Sequence, residues 1–334
     1  MKTIDLSGKT VVISRTDSIG DVILTLPLCG WLKKKYPSVR ILFLGKSYTV
    51  DVLRCSPYID QIICLEDWEK VSFSEQVEKF KALNIYVFFH IFPNKHLAKL
   101  VKSANIPLRV GTSHRMFHLL TCNIRPNFTR KNSDFHEAQL NFELLRNFGI
   151  KALPNKKELV EYIGDFKPQV ELPNQLKEFL KEGKRIILHT KSQGSAVEWP
   201  MDKYVQLANE LVEKNCTVYF SGTEKEGLQF RDALPKHPSI IDISGKSTLG
   251  ELITFINDCD VLLACSTGPL HLASVLGKKA IGLYTDLRPM HPGRWAPIGK
   301  NSIAITDNNK QNPQLEDIYN ISVEEVIQII DKQG

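Results

Sequence analysis

Two short runs carry residue types able to take up a proton and to hold a diphosphate. The first is Arg15-Thr16-Asp17-Ser18-Ile19-Gly20-Asp21, directly after TVVIS at 10–14, which reads as a buried strand. Gly20 suits a tight strand-to-helix turn. Thr16 and Ser18 supply hydroxyls, and Asp21 falls in the first turn of the helix that follows. A carboxylate at a strand's carboxyl end can act as a base toward a hydroxyl within hydrogen-bond reach. Asp17, Ser18 and Asp21 are also ordinary helix caps, so spacing alone leaves base and cap both open. The second run is Ser266-Thr267-Gly268-Pro269-Leu270-His271, after DVLLA at 260–264. Small residues admit a ligand close to the backbone, and Pro269 fits a first helical turn. The free N–H groups and dipole of such a helix start favour a diphosphate. A plain capped helix, with His271 in the core, fits the same residues.

Three further polar loops each follow a strand-like run. They are HTKSQGS at 189–195, with Lys191 and Ser192; Ser221-Gly222-Thr223, with Glu226 shortly after; and Ser244-Gly245-Lys246-Ser247-Thr248. Their shared position at strand ends weighs more than any one of them. A basic and aromatic segment, Arg288 to Trp295, follows the last strand and suits an anionic group, a sugar face or a proline-rigid connection equally. No GxGxxG follows either first strand and no GxxxxGK[ST] occurs, which disfavours a dinucleotide dehydrogenase and a P-loop kinase. Asp258-Cys259-Asp260 is formally a DxD, but it enters a strand, the wrong end for a ligand, so no metal is expected there.

The elements that must position these runs alternate along the chain. Apolar runs at 10–14, 39–44, 61–65 and 85–90 read as strands, with helical patterns at 21–36, 48–55, 74–83 and 136–148. Residues 164–173 (GDFKPQVELP) read as a linker. Strands then follow at 185–190, 217–221, 240–243, 260–264 and 280–284, with helices at 202–214, 224–234, 249–257, 269–276 and 323–330. Continuous apolar strands separated by helices predict parallel sheets covered on both faces, with ligands outside the strands' carboxyl ends. The expectation is an α/β chain of two doubly wound, Rossmann-like domains facing across a cleft. The first would span residues 1–168 and the second 169–334, an arrangement that suits an enzyme joining two substrates, each held mainly by one half.

Bulk properties agree with a globular enzyme: 334 residues, 43% hydrophobic and 24% charged. The net charge of +6 suits phosphate-bearing ligands or an anionic membrane face, and equally a solvated lysine surface. No nucleic-acid signature accompanies it, so no nucleic-acid partner is expected. Seven cysteines, an odd number without CxxC, point to reduced thiols in a cytoplasm. The first residues lack a signal-peptide core. The apolar stretch 22–28 contains Pro27 and is too short to span a bilayer, so any membrane contact would be peripheral.

With these residues in place, the chain resembles glycosyltransferase family 9, the heptosyltransferases of lipopolysaccharide core assembly. The resemblance rests on SIGDVILTLP (18–27), HTKSQGSAVEWP (189–200) and SGKSTLGELITFINDCDVLLACSTGPLHLASVLGK (244–278), the last similar to the family's DTGPMHLA helix with the elements before it. It implies a GT-B fold, an inverting mechanism, and neither metal nor cofactor. It makes Asp21 the base and the Ser266–His271 run the donor diphosphate site, gives the acceptor to residues 1–168 and the nucleotide sugar to residues 169–334, and returns the C-terminal helix to the first domain. Taken with the loops above, the donor side is Lys191, Ser192, Gly222, Glu226, Lys246, Ser266, Thr267, Gly268, Pro269 and His271. The acceptor side is Arg15, Thr16, Ser18 and Gly20. The implied partners are a nucleotide-sugar donor, ADP-heptose among the candidates, and an anionic glycolipid or glycan acceptor, met in the cytoplasm at the inner face of the membrane. Two positions depart from the family pattern: Ser266 stands where it has Asp, and Val197 where it often has Lys. These departures keep open a catalytically silent nucleotide-sugar-binding homologue. A nucleotide-sugar epimerase of GT-B architecture is the other alternative.

Overall fold

The computed structural model describes residues 3–131, 133–308 and 311–332. The chain divides into two units, Met1–Phe166 and Lys167–Gly334.

In the first unit β1 (Thr10–Ser14), β2 (Arg40–Gly45), β3 (Gln61–Cys64), β4 (Val87–His90) and β5 (Leu108–Val110) form one sheet in the order β3-β2-β1-β4-β5. All pairs are parallel, and Ser14 at the end of β1 lies between Leu44 of β2 and His90 of β4. Val11, Val12 and Ile13 are wholly buried, as a central strand covered on both faces requires. The strand order reverses between β1 and β4, so the crevice of this sheet opens at the ends of those two strands.

The second unit repeats the plan with β6 (Arg185–His189), β7 (Thr217–Ser221), β8 (Ile240–Asp242), β9 (Val261–Cys265), β10 (Lys279–Leu283) and β11 (Ser302–Ile305). Their order is β11-β10-β9-β6-β7-β8, again all parallel. This is the full Rossmann order, with its switch point between β6 and β9.

Several sequence expectations change. The helix expected at 21–36 is two helices, Ile19–Ile23 and Leu26–Lys35. Pro27, the second residue of the later helix, cannot donate to Ile23 and would clash with its carbonyl in a continuous helix. The strands β5 and β11 were not legible. β5 has three residues, and β11 is an edge strand with only Ile305 buried. The apolar face of the C-terminal helix, Val323–Asp331, packs inside the second unit, where Val323, Val326, Ile327 and Ile330 share one core with Leu207 and Leu211. Lys184 Nζ also donates to the Ile330 carbonyl at 2.9 Å.

Candidate active site

The loop leaving β1 starts the site of the first unit. Ser18, extended and exposed, is the N-cap of helix Ile19–Ile23; its Oγ accepts from the Asp21 amide at 3.3 Å. The same hydroxyl donates to Asp21 Oδ2 at 2.6 Å. Capping therefore falls to Ser18, which leaves the Asp21 carboxylate in the first turn, partly open to solvent. Asp21 Oδ1 pairs with the Arg15 guanidinium. Each carboxylate oxygen has a second lone pair, so both can still accept from a ligand.

Arg15 organises this region from inside. Its Nε meets Asp17 Oδ1 at 2.6 Å, and its Nη1 meets Glu137 Oε1 at 3.1 Å. Burial by itself would lower the Arg15 pKa, but the Asp21, Asp17 and Glu137 charges outweigh it and the pKa is raised. Burial pushes the Asp17 carboxyl up, with Arg15 opposing. Glu137 Oε1 also accepts from Arg130 Nε at 2.8 Å, and Arg130 Nη2 reaches Asn141 Oδ1 at 2.9 Å. Asn141 donates to the Leu24 carbonyl at 3.1 Å, and Thr25 Oγ1 donates to the Asp21 carbonyl at 2.9 Å. The network thus links both ends of the short helix that carries Asp21.

The acceptor residues expected from sequence divide accordingly. Ser18 is exposed beside Asp21, whereas Arg15 and Thr16 are buried. Arg15 was expected to meet an acceptor, but carboxylates of this chain already engage its guanidinium. Gly20 was expected to permit the turn. It lies inside helix Ile19–Ile23 instead, and it is not among the glycines of positive φ. The turn is complete two residues earlier, at the extended N-cap Ser18. Sequence reading missed Glu137, Arg130 and Asn141. Glu137 follows His136 at a helix start, where a first-turn acid reads as a dipole partner.

In the second unit the ends of β6 and β9 lie side by side, His189 beside Ala264. Beyond them sit Thr190 and Thr267, each with a buried hydroxyl that has no hydrogen-bond partner among the described residues. Thr267 is the N-cap of helix Gly268–Val275, with extended backbone, no side-chain cap bond, and Pro269 in the first turn. A cap hydroxyl left unpaired at a switch-point helix start is placed for an incoming acceptor atom. Ser266 precedes it, half-buried; burial raises the pKa of the Tyr284 phenol, with Ser266 opposing. Tyr284 in turn donates to the Trp295 carbonyl at 2.9 Å. His271 is buried one turn into the helix.

The loop after β6 is held by Glu198, which the sequence did not single out. Glu198 Oε2 pairs with Lys191 Nζ at 3.0 Å, and Oε1 accepts from the Ser192 amide at 2.8 Å. Val197 packs on the core of this unit, which accounts for an apolar residue there. Glu226 was expected on the donor. Its Oε2 is the acceptor of a capping box, taking the Thr223 amide at 2.6 Å and the Thr223 hydroxyl at 2.9 Å. A Cβ on Gly222 would stand 3.2 Å from that same oxygen, so Gly222 leaves room for the box. Lys246 is exposed, donates to the Asp242 carbonyl at 2.7 Å and lies over the Phe179 ring, so its ammonium is engaged outside the β6–β9 crevice. His189 Nδ1 is 3.0 Å from Ser221 Oγ; burial lowers its pKa, with Glu226 opposing. Asp260 accepts from the Arg185 amide at 2.7 Å at the amino end of the sheet, which gives the DxD a structural role.

The model of glycosyltransferase family 9 (heptosyltransferase) matches residues 96–320. The chain belongs to this family. It is 24% identical to the lipooligosaccharide heptosyltransferase 2 of Haemophilus ducreyi, over 86% of this chain and 85% of that one. The family 9 glycosyltransferase of Veillonella parvula has a similar structure, with a TM-score of 0.80 at 21% identity, covering 99% of this chain and 98% of the other. The E. coli ADP-heptose lps heptosyltransferase II gives 0.75 at 18% identity, with 97% of each chain covered. The fold of this family 9 glycosyltransferase is therefore GT-B, built from two Rossmann-like units.

Proposed function

We propose that this family 9 glycosyltransferase is an inverting, metal-independent enzyme. It passes a heptose or related sugar from a nucleotide donor to a lipopolysaccharide-core or similar anionic acceptor. The first unit, up to about the 164–173 linker, takes the acceptor, and the second takes the donor. The observation that carries the reading is the Asp21 carboxylate, partly open at the β1 switch point, fixed by Arg15 and Ser18. The names of the relatives above supply the substrate class, including ADP-heptose as a donor.

In this mechanism Asp21 removes the proton from the acceptor hydroxyl as its oxygen attacks the anomeric carbon opposite the diphosphate. The transition state has oxocarbenium character, as in glycoside hydrolysis. Charge builds on the departing diphosphate. The helix start at Gly268, the hydroxyls of Thr267 and Thr190, and the Lys191 ammonium supply donors and charge to hold it. Among the described residues no helix is long and apolar enough to cross a membrane. The reading places the acceptor at the inner face of the cell membrane, in keeping with the lipooligosaccharide and lps heptosyltransferase names of the relatives.

Asp21→Asn should lower kcat by about 10²–10⁴ while ADP affinity, measured by calorimetry, stays at the wild-type value. An Asp21→Asn protein with unchanged turnover would remove the proposed base. Proton NMR of the product gives the anomeric configuration, and retention would overturn the inverting step.

A further inference from the structure

Between Glu78 and Asp134 the sequence contains ten Lys and Arg and no Asp or Glu. The remainder of the chain holds 33 Lys and Arg against 37 Asp and Glu, so the whole basic excess lies in this one segment of the first unit. Asymmetry of this kind points to an anionic partner.

The same segment contains helix Met116–Thr121 (MFHLLT). Met116, Leu119 and Leu120 stand at i, i+3 and i+4, one face of the helix. They are 84%, 50% and 75% exposed. His118, on the other side, is fully buried and fixes the helix to the unit, with its Nδ1 3.1 Å from the Thr112 carbonyl. The helix thus turns three large apolar side chains outward, although its own buried side offered room only for the smaller share of its apolar residues.

Cations stand at both ends of this helix. Lys102 Nζ lies 2.8 Å from the Leu120 carbonyl, and Arg125 Nη1 lies 2.9 Å from the Leu119 carbonyl. Arg109 Nε lies 2.7 Å from the Thr121 carbonyl, and exposed Arg115 is the N-cap. Among the described residues none of these four cations is paired with a carboxylate. An apolar protein partner would leave those cations uncompensated. A bilayer of anionic lipid accepts both parts: acyl chains take Met116, Leu119 and Leu120, while headgroup phosphates meet the cations.

We propose that helix Met116–Thr121 is a membrane-docking wedge that seats the first unit on anionic lipid. The wedge deepens the reading of an acceptor carried on a lipid, but its geometry does not depend on which residue is the base. One wedge gives reversible attachment, because a single short apolar insertion with a basic surround is a weak anchor.

The test is flotation of the full chain with acceptor-free vesicles, either of phosphatidylethanolamine alone or with added phosphatidylglycerol. Wild type should float with the anionic vesicles only and release as salt rises. Met116→Ser combined with Leu120→Ser should lower the partition coefficient about tenfold or more. Both residues are exposed, so the melting temperature should stay put. Lys102→Gln with Arg125→Gln should lower binding to anionic vesicles alone. Equal flotation of wild type and the Met116/Leu120 variant would overturn the wedge. So would sedimentation showing a wild-type dimer that the same variant dissolves, because the face would then belong to a second copy. Because the vesicles hold no acceptor, failure here leaves the transfer reaction untouched. Conversely, loss of transfer in Asp21→Asn leaves flotation unchanged.

Discussion

Replacing Glu137 by Gln isolates the hidden support of the proposed base. The Glu137 side chain is 1% exposed, and one of its oxygens holds both Arg15 at 3.1 Å and Arg130 at 2.8 Å. Gln keeps an acceptor oxygen but removes the charge. Hydrogen bonds to charged groups contribute about 1.5–3 kcal/mol, roughly twice the neutral value. The arginines keep their charge, so making the acceptor neutral forfeits at most about half of each bond, or up to about 1.5–3 kcal/mol over the two. For a unit of this size that lowers the melting temperature by up to roughly 3–12 °C. Glu137→Ala should cost more, toward the 3–5 kcal/mol range of a broken buried pair. Activity should fall as well. With Glu137 neutral, Arg15 is drawn toward Asp17 and Asp21, and a displacement of about 1 Å at a reacting group costs up to about 10² in rate. The donor loops belong to the second unit, so ADP affinity should not change. Scanning calorimetry of the full chain, kcat with saturating donor, and ADP titration read the three quantities. A Glu137→Gln protein with wild-type melting temperature and wild-type kcat would refute the reasoning, since the buried carboxylate would then support nothing.

Two other perturbations follow from groups without partners. His90 is buried at the end of β4 with neither ring nitrogen hydrogen-bonded among the described residues, and burial, with the His118 and Arg109 charges, holds its pKa well below 6.5. The unfolded chain therefore binds a proton below about pH 6.5 that the folded chain refuses, and stability is complete above that pH and lost as pH falls. The slope approaches about 1.4 kcal/mol per pH unit for one such group. His90→Phe, which keeps a ring against Phe88, should flatten that slope in urea titrations; an unchanged slope would assign it elsewhere. In the second unit, Thr267→Val removes a hydroxyl that has no partner among the described residues, so the melting temperature should hold. ADP should bind about tenfold or more weakly through loss of a charge-assisted hydrogen bond. Unchanged ADP affinity would take Thr267 out of the diphosphate site.

The sequence by itself determined the doubly wound plan. Strands buried on both faces must be apolar throughout, and that signal is local, as TVVIS and DVLLA show. It also placed the polar runs at strand ends, because each run follows its strand directly in the chain. The charge excess between Glu78 and Asp134 was equally open to inspection. Only the tertiary structure decided which of those residues face outward. Arg15 and Asp21 are near neighbours in sequence, yet Arg15 is turned inward by Glu137, 122 positions away, and no local pattern encodes such a pairing. Likewise Met116, Leu119 and Leu120 look like core residues when read alone. Their exposure follows from His118 and its neighbours filling the inner side of one short helix. Glu226 and Gly20 show the same limit: a polar residue near a strand end reads alike whether it meets a ligand, caps a helix or lies within one. The neighbours that settle the difference are brought in by the fold.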